Sequence, residues 1–121
     1  MKVNYIELLG QRHPLCLSLS AAEALSEAFG SLEKMGELLD SQDVSRMAKA
    51  VDTILTILLK AGRIYAGALG EELPPELPCR PADLIDVRDQ AAVQAILSAM
   101  KADTERTVEV EGKNAEATSG R

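Results

Sequence analysis

The chain has 121 residues, enough for one hydrophobic core without disulfide or metal staples and too few for more than two domains. Thirteen Lys and Arg against 19 Asp and Glu leave a net charge of −6, which argues against a duplex-binding basic face. Three aromatics, Tyr5, Phe29 and Tyr65, with no Trp, argue equally against a stacking platform for single-stranded nucleic acid. Cys16 and Cys79 form no CxxC and His13 is the single histidine, so neither a structural zinc set nor a disulfide framework is expected, and both thiols are read as free and buried. The N-terminus lacks a signal-peptide hydrophobic stretch. The longest apolar run, Ile54 to Leu59, is far shorter than the ~20 residues of a membrane span. These features predict an acidic cytoplasmic protein without a membrane partner.

In chain order, residues 2–19 read as a β-hairpin. Val3, Tyr5 and Ile6 to Leu9 precede a turn at Gly10-Gln11-Arg12, and Leu15, Leu17 and Leu19 then alternate with Cys16, Ser18 and Ser20. Pro14 places the second strand at a sheet edge. Ser20-Ala21-Ala22-Glu23 has the spacing of a capping box, and the helix it opens should stop at Gly30. Ser31 caps a second helix with Leu32, Met35, Leu38 and Leu39 at helical spacing, and Asp40 to Asp43 form another N-cap cluster.

The strongest element covers residues 44–61. Val44, Met47, Ala48, Val51, Ile54, Leu55, Leu58 and Leu59 share an arc of roughly 140° on a helical wheel, with Lys49, Asp52, Thr56 and Lys60 opposite. Gly62 is expected to end or bend this helix, leaving residues 63–70 as a shorter helical turn. Glu71 to Pro81 holds four of the five prolines and reads as an extended connection, with Pro81 opening a short helix. Asp86 is expected to cap a last helix whose stripe is Val93, Ile96, Leu97 and Met100. Residues 106–111 alternate and read as one more strand joining the hairpin, and 112–121 as a flexible tail. The predicted fold is α+β and mainly α: a single domain over 1–111, with its helical part at 21–102, in which an N-terminal hairpin packs with four to five helices.

Candidate chemistry is sparse. His13 lacks a nucleophile partner and reads as an exposed turn histidine rather than a general base, with Cys16 three residues along the strand on the other face. Gly62, Gly67 and Gly70 lack the Gly-Lys-Ser/Thr of a phosphate loop. Asp83, Asp86 and Asp89 are better explained by helix capping than by a cation site. The sequence therefore predicts no catalytic residue, no metal and no cofactor. What remains is Ile57 off the main stripe, with Ile64, Tyr65 and Leu69 after Gly62: either a small domain wraps the main helix on most of its circumference and buries them, or they are apolar surface, and they are predicted as partner-binding residues.

Several phrases carry a resemblance. They are Arg12-His13-Pro14-Leu15, Leu17-Ser18-Leu19, Ala21-Ala22-Glu23, Phe29-Gly30-Ser31-Leu32-Glu33, Leu59-Lys60-Ala61-Gly62-Arg63-Ile64-Tyr65, Asp83-Leu84-Ile85-Asp86-Val87, Arg106-Thr107-Val108-Glu109-Val110-Glu111 and Lys113-Asn114-Ala115-Glu116-Ala117-Thr118. In this order they resemble the small tail assembly chaperones of long-tailed bacteriophages and prophages. The resemblance implies a non-enzymatic protein of the bacterial host cytoplasm, absent from the mature virion. Such a protein binds and solubilises the tape-measure protein and helps to recruit tail-tube subunits. It also implies a longer frameshifted product, for which Gly112-Lys113-Asn114 can be encoded by a slippery GGA-AAA-AAC. Weak self-association would suit a protein that coats a polymer. The rival readings are a structural tail-completion or connector subunit and a non-phage acidic helical adaptor.

Overall fold

The computed structural model describes residues 3–87 and 89–100. Strands β1 (Asn4–Leu8) and β2 (Gln11–Leu15) pair antiparallel, Leu8 opposite Gln11 and Asn4 opposite Leu15. The connection is the two-residue Leu9-Gly10, with φ of 54° and 74°, the paired positive values of a type I′ turn. The turn therefore lies one residue earlier than predicted, and Gln11 and Arg12 belong to β2. Ile6 and His13 face each other on the inner side of the hairpin. On the outer side the Arg12 guanidinium lies 4.3 Å from the centre of the Tyr5 ring.

The hairpin is shorter than the predicted 2–19. Alternation at Leu15, Leu17 and Leu19 is interrupted because Ser18 is an N-cap. Its Oγ accepts from the Ala21 amide at 3.1 Å, so α1 (Leu19–Phe29) starts before the Ser20 box and leaves Leu19 exposed on its first turn. Gly30, at φ 87°, ends α1 as expected. Ser31 caps α2 (Leu32–Leu39), and Asp43 caps α3 through hydrogen bonds from the Ser45 and Arg46 amides.

Helix α3 (Val44–Ala68) runs unbroken through Gly62, about 37 Å in all, which corrects the predicted 44–61. It stops instead at Gly70, φ 81°, where the Gly70 amide donates to Gly67 and the Glu71 amide to Ala66, a Schellman closure. Gly62 is kept by packing: a Cβ there would lie 2.0 Å from the Pro14 carbonyl oxygen. At this crossing strand and helix backbones touch, and the Cys16 amide donates to the Leu58 carbonyl at 3.4 Å.

Around α3 pack β2, α1, α2 and a 3₁₀ turn at Pro81–Leu84, which Pro81 opens. A fourth helix, α4, covers 91–100 and contributes Ala92, Ile96 and Ala99 to the core. Leu97, placed by periodicity on that stripe, is exposed, while the small Ala92 and Ala99 are buried. α4 begins at residue 91, five residues beyond the predicted cap Asp86, and at its start Asp89 accepts from the Ala91 amide at 2.9 Å. Val44, predicted within the buried arc, is exposed because it lies in the first turn of α3, and Ala50 is buried in its stead. The fold is α+β and mainly α, as the sequence predicted. The predicted strand at 106–111 and the tail at 112–121 lie outside the described residues. Among the described residues no helix is long and apolar enough to cross a membrane.

Candidate partner-binding groove

After Gly70 the chain turns back along α3 as the proline-rich segment, which two side chains of α3 hold. Near its start, Arg63 donates from a guanidinium nitrogen to the Pro74 carbonyl at 2.7 Å. At its end, Asp52 accepts from the Ala82 amide at 3.0 Å and lies 3.9 Å from Arg80. Asp52 and Arg63 are three turns apart, about 16 Å along the helix axis. The eight residue-to-residue steps from Pro74 to Ala82 can reach about 26 Å when extended. The strap is thus longer than the span it bridges. Four prolines keep it from winding into a helix that would take up the slack.

Between strap and helix lies a groove of about 860 Å³. Leu59, Lys60, Arg63 and Ile64 form the helix wall; Leu73, Leu77, Pro78 and Cys79 line the strap wall. Ile64 stands 65% exposed, a large apolar side chain left at the rim. His13 reaches the groove from β2. It is buried, against the expectation of an exposed turn residue, because α3 closes over β2 at Gly62. Burial lowers its pKa, the nearby Arg63 charge lowers it further, and a hydrogen bond with the Leu8 backbone partly opposes both. Cys79 is exposed and free, so the expectation of two buried thiols holds only for Cys16.

A narrower cleft of about 380 Å³ lies between the α2–α3 junction and residues 82–93. Its walls include Val44, Met47, Val51 and Val93, and its polar lining includes Asp40, Asp86 and Asp89. Among the described residues the charged side chains lining this cleft are acidic, whereas those lining the groove are mainly basic. Asp83 and Asp89 serve as local acceptors for the Arg80 and Ala91 amides. Among the described residues no group of three or more His, Cys, Asp or Glu is placed to hold a metal ion.

The four predicted partner-binding residues do not form one patch. Ile57 and Ile64, seven residues apart, share a flank of α3, and Ile64 alone of the four lines the groove. Because the helix does not break at Gly62, Tyr65 continues the buried arc of Leu58; both Tyr65 and Ile57 are half-buried and packed against the core. Leu69, at the C-cap, is exposed. Sequence reasoning missed Lys60 and Arg63 as groove residues. The available signal was a pair of cations three residues apart beside four prolines that had to return along the same helix.

Compared with protein-family models, curated proteins and solved structures, the chain matches none.

Proposed function

We propose that this chain is a tail assembly chaperone of the long-tailed phage type, a binding protein that holds a long helical client in solution and makes or breaks no bond. The observation that carries the reading is the groove between α3 and its strap, open and largely apolar, with Ile64 exposed at its rim. A client helix lays aliphatic side chains into such a groove, and each buried side chain contributes on the order of 1.5–3 kcal/mol before ordering is subtracted. The net charge of −6 opposes aggregation of the loaded complex. The order of short phrases from Arg12 to Thr118 supports the phage assignment, with the tape-measure protein as client and the tail-tube protein as the subunit recruited.

The test is co-expression in bacteria with the long helical tail gene expected beside the one encoding this chain. A chaperone moves that protein from the pellet into the supernatant and does not co-purify with finished particles. Retention in mature virions would instead identify a structural subunit. A slippery run in the codons for Gly112-Lys113-Asn114 is an independent check on the phage assignment.

A further inference from the structure

The groove is not only apolar. Arg63 is half-buried, and beyond its bond to Pro74 no carboxylate among the described residues lies within ion-pair distance. Lys60, one turn away and exposed, is likewise without an ion pair among them. Arg80, on the strap, differs: Asp52 and Asp83 both lie 3.9 Å from it. Against these cations the lining offers one carboxylate, Glu76. In a chain of net charge −6 the groove is locally positive, and its charge is felt by His13.

A half-buried guanidinium with unused N–H donors gains most from a carboxylate, which it can grip with two parallel hydrogen bonds. The aliphatic walls, Leu59, Ile64, Leu73 and Leu77, call for an apolar face. The overall negative charge repels an acidic client at long range, but beyond about 8 Å that repulsion is screened at physiological salt, and contact is decided by the local cations.

We propose that the groove takes an acidic amphipathic segment of a partner protein, its aliphatic side chains between α3 and the strap and an Asp or Glu carboxylate on Arg63. The proposal rests on the chaperone reading and narrows it, by naming the kind of client stretch that is held.

The test titrates the intact chain with two labelled peptides, each about 18 residues, a length that can form a stable helix on binding. Both carry Leu along one face; one has Glu at the flanking positions and the other Lys. The Glu peptide is expected to bind at least about tenfold more tightly. That preference should vanish in Arg63→Gln and survive in Arg63→Lys. It should also weaken in Lys60→Gln, which leaves the bond to Pro74, and so the strap, in place. Equal binding of the two peptides, preference for the Lys peptide, or an undiminished preference in Arg63→Gln overturns the proposal. Displacement of the Glu peptide by acetate at peptide concentrations overturns it too, because the occupant is then a small anion. The two readings fail separately. If the parent chain solubilises the tail protein but binds the two peptides alike, the chaperone stands and the acidic segment falls; if the parent shows the Glu preference but rescues no tail protein, the reverse holds.

Discussion

Gly62 and Pro14 touch backbone to backbone: a β-carbon on the glycine would sit 2.0 Å from the proline carbonyl oxygen and 2.9 Å from the Leu15 amide nitrogen. A glycine inside a helix is about 1 kcal/mol worse than alanine by propensity. Here the loss is offset by a strand–helix contact that no other residue permits. Gly62→Ala should therefore destabilise the chain by about 3 kcal/mol, with the strand and helix forced apart. A urea midpoint equal to or above that of the parent would show that the crossing relaxes freely.

The hairpin turn places Leu9 at φ 54°, a conformation that favours Asn or Gly, and leaves its side chain 62% exposed. Leu9→Asn should raise stability by about 0.5–1 kcal/mol, since strain is relieved and little burial is lost. A lower thermal midpoint would indicate a packing role for Leu9. Higher stability accompanied by loss of client solubilisation would assign the strained leucine to the interface.

His13 titrates below its ordinary value of 6.5 because it is buried and faces the Arg63 charge. In the window below 6.5 the unfolded chain binds the proton and the folded chain does not, so stability rises with pH there. His13's contribution is fully present above 6.5 and is lost as pH falls towards its lowered folded-state value. Urea unfolding across this window should show the decline in the parent and a flatter profile in His13→Gln. Identical slopes would place the dependence on other groups.

Ile64 and Ile57 share a flank of α3 but not an environment. Ile64→Asp should leave stability within about 0.5 kcal/mol and abolish capture of the helical client. Ile57→Asp, which puts a carboxylate against the core, should cost about 1–2 kcal/mol. Paired denaturation and co-expression measurements on both variants separate the roles. Unimpaired capture by Ile64→Asp would remove the groove rim from the interface.

Asp52 anchors the far end of the strap by its bond from the Ala82 amide. Asp52→Ala should cost about 1–2 kcal/mol and speed amide exchange at Ala82. If exchange there is unchanged, the strap is held by other contacts.

Much of the fold was legible because it is written in local signals. Ser31 and Asp43 as caps, Gly30 as a stop, and the period of Ile54, Leu55 and Leu58 all act within a few residues of themselves. Ser18 shows the limit: two serines stood two residues apart, both at cap-like spacing, and it is Ser18 that caps α1, directly after the fully buried Leu15 and Cys16. Gly62 shows another. A break and a close contact ask for the same residue, and its neighbours in sequence do not distinguish them. The groove was the least legible part, because Arg63 meets Pro74 and Asp52 meets Ala82 across a returning chain.

By itself, then, the sequence determined the class of fold, the positions of most helix ends and the apolar arc of α3, since hydrogen-bonding side chains and side-chain periodicity act at short range. Tertiary structure alone decided that α3 continues past Gly62, that Tyr65 turns inward while Ile64 stays out, and that a doubly anchored strap leaves a positively charged groove. Those outcomes depend on which distant backbone comes within contact distance, and no local spacing encodes that.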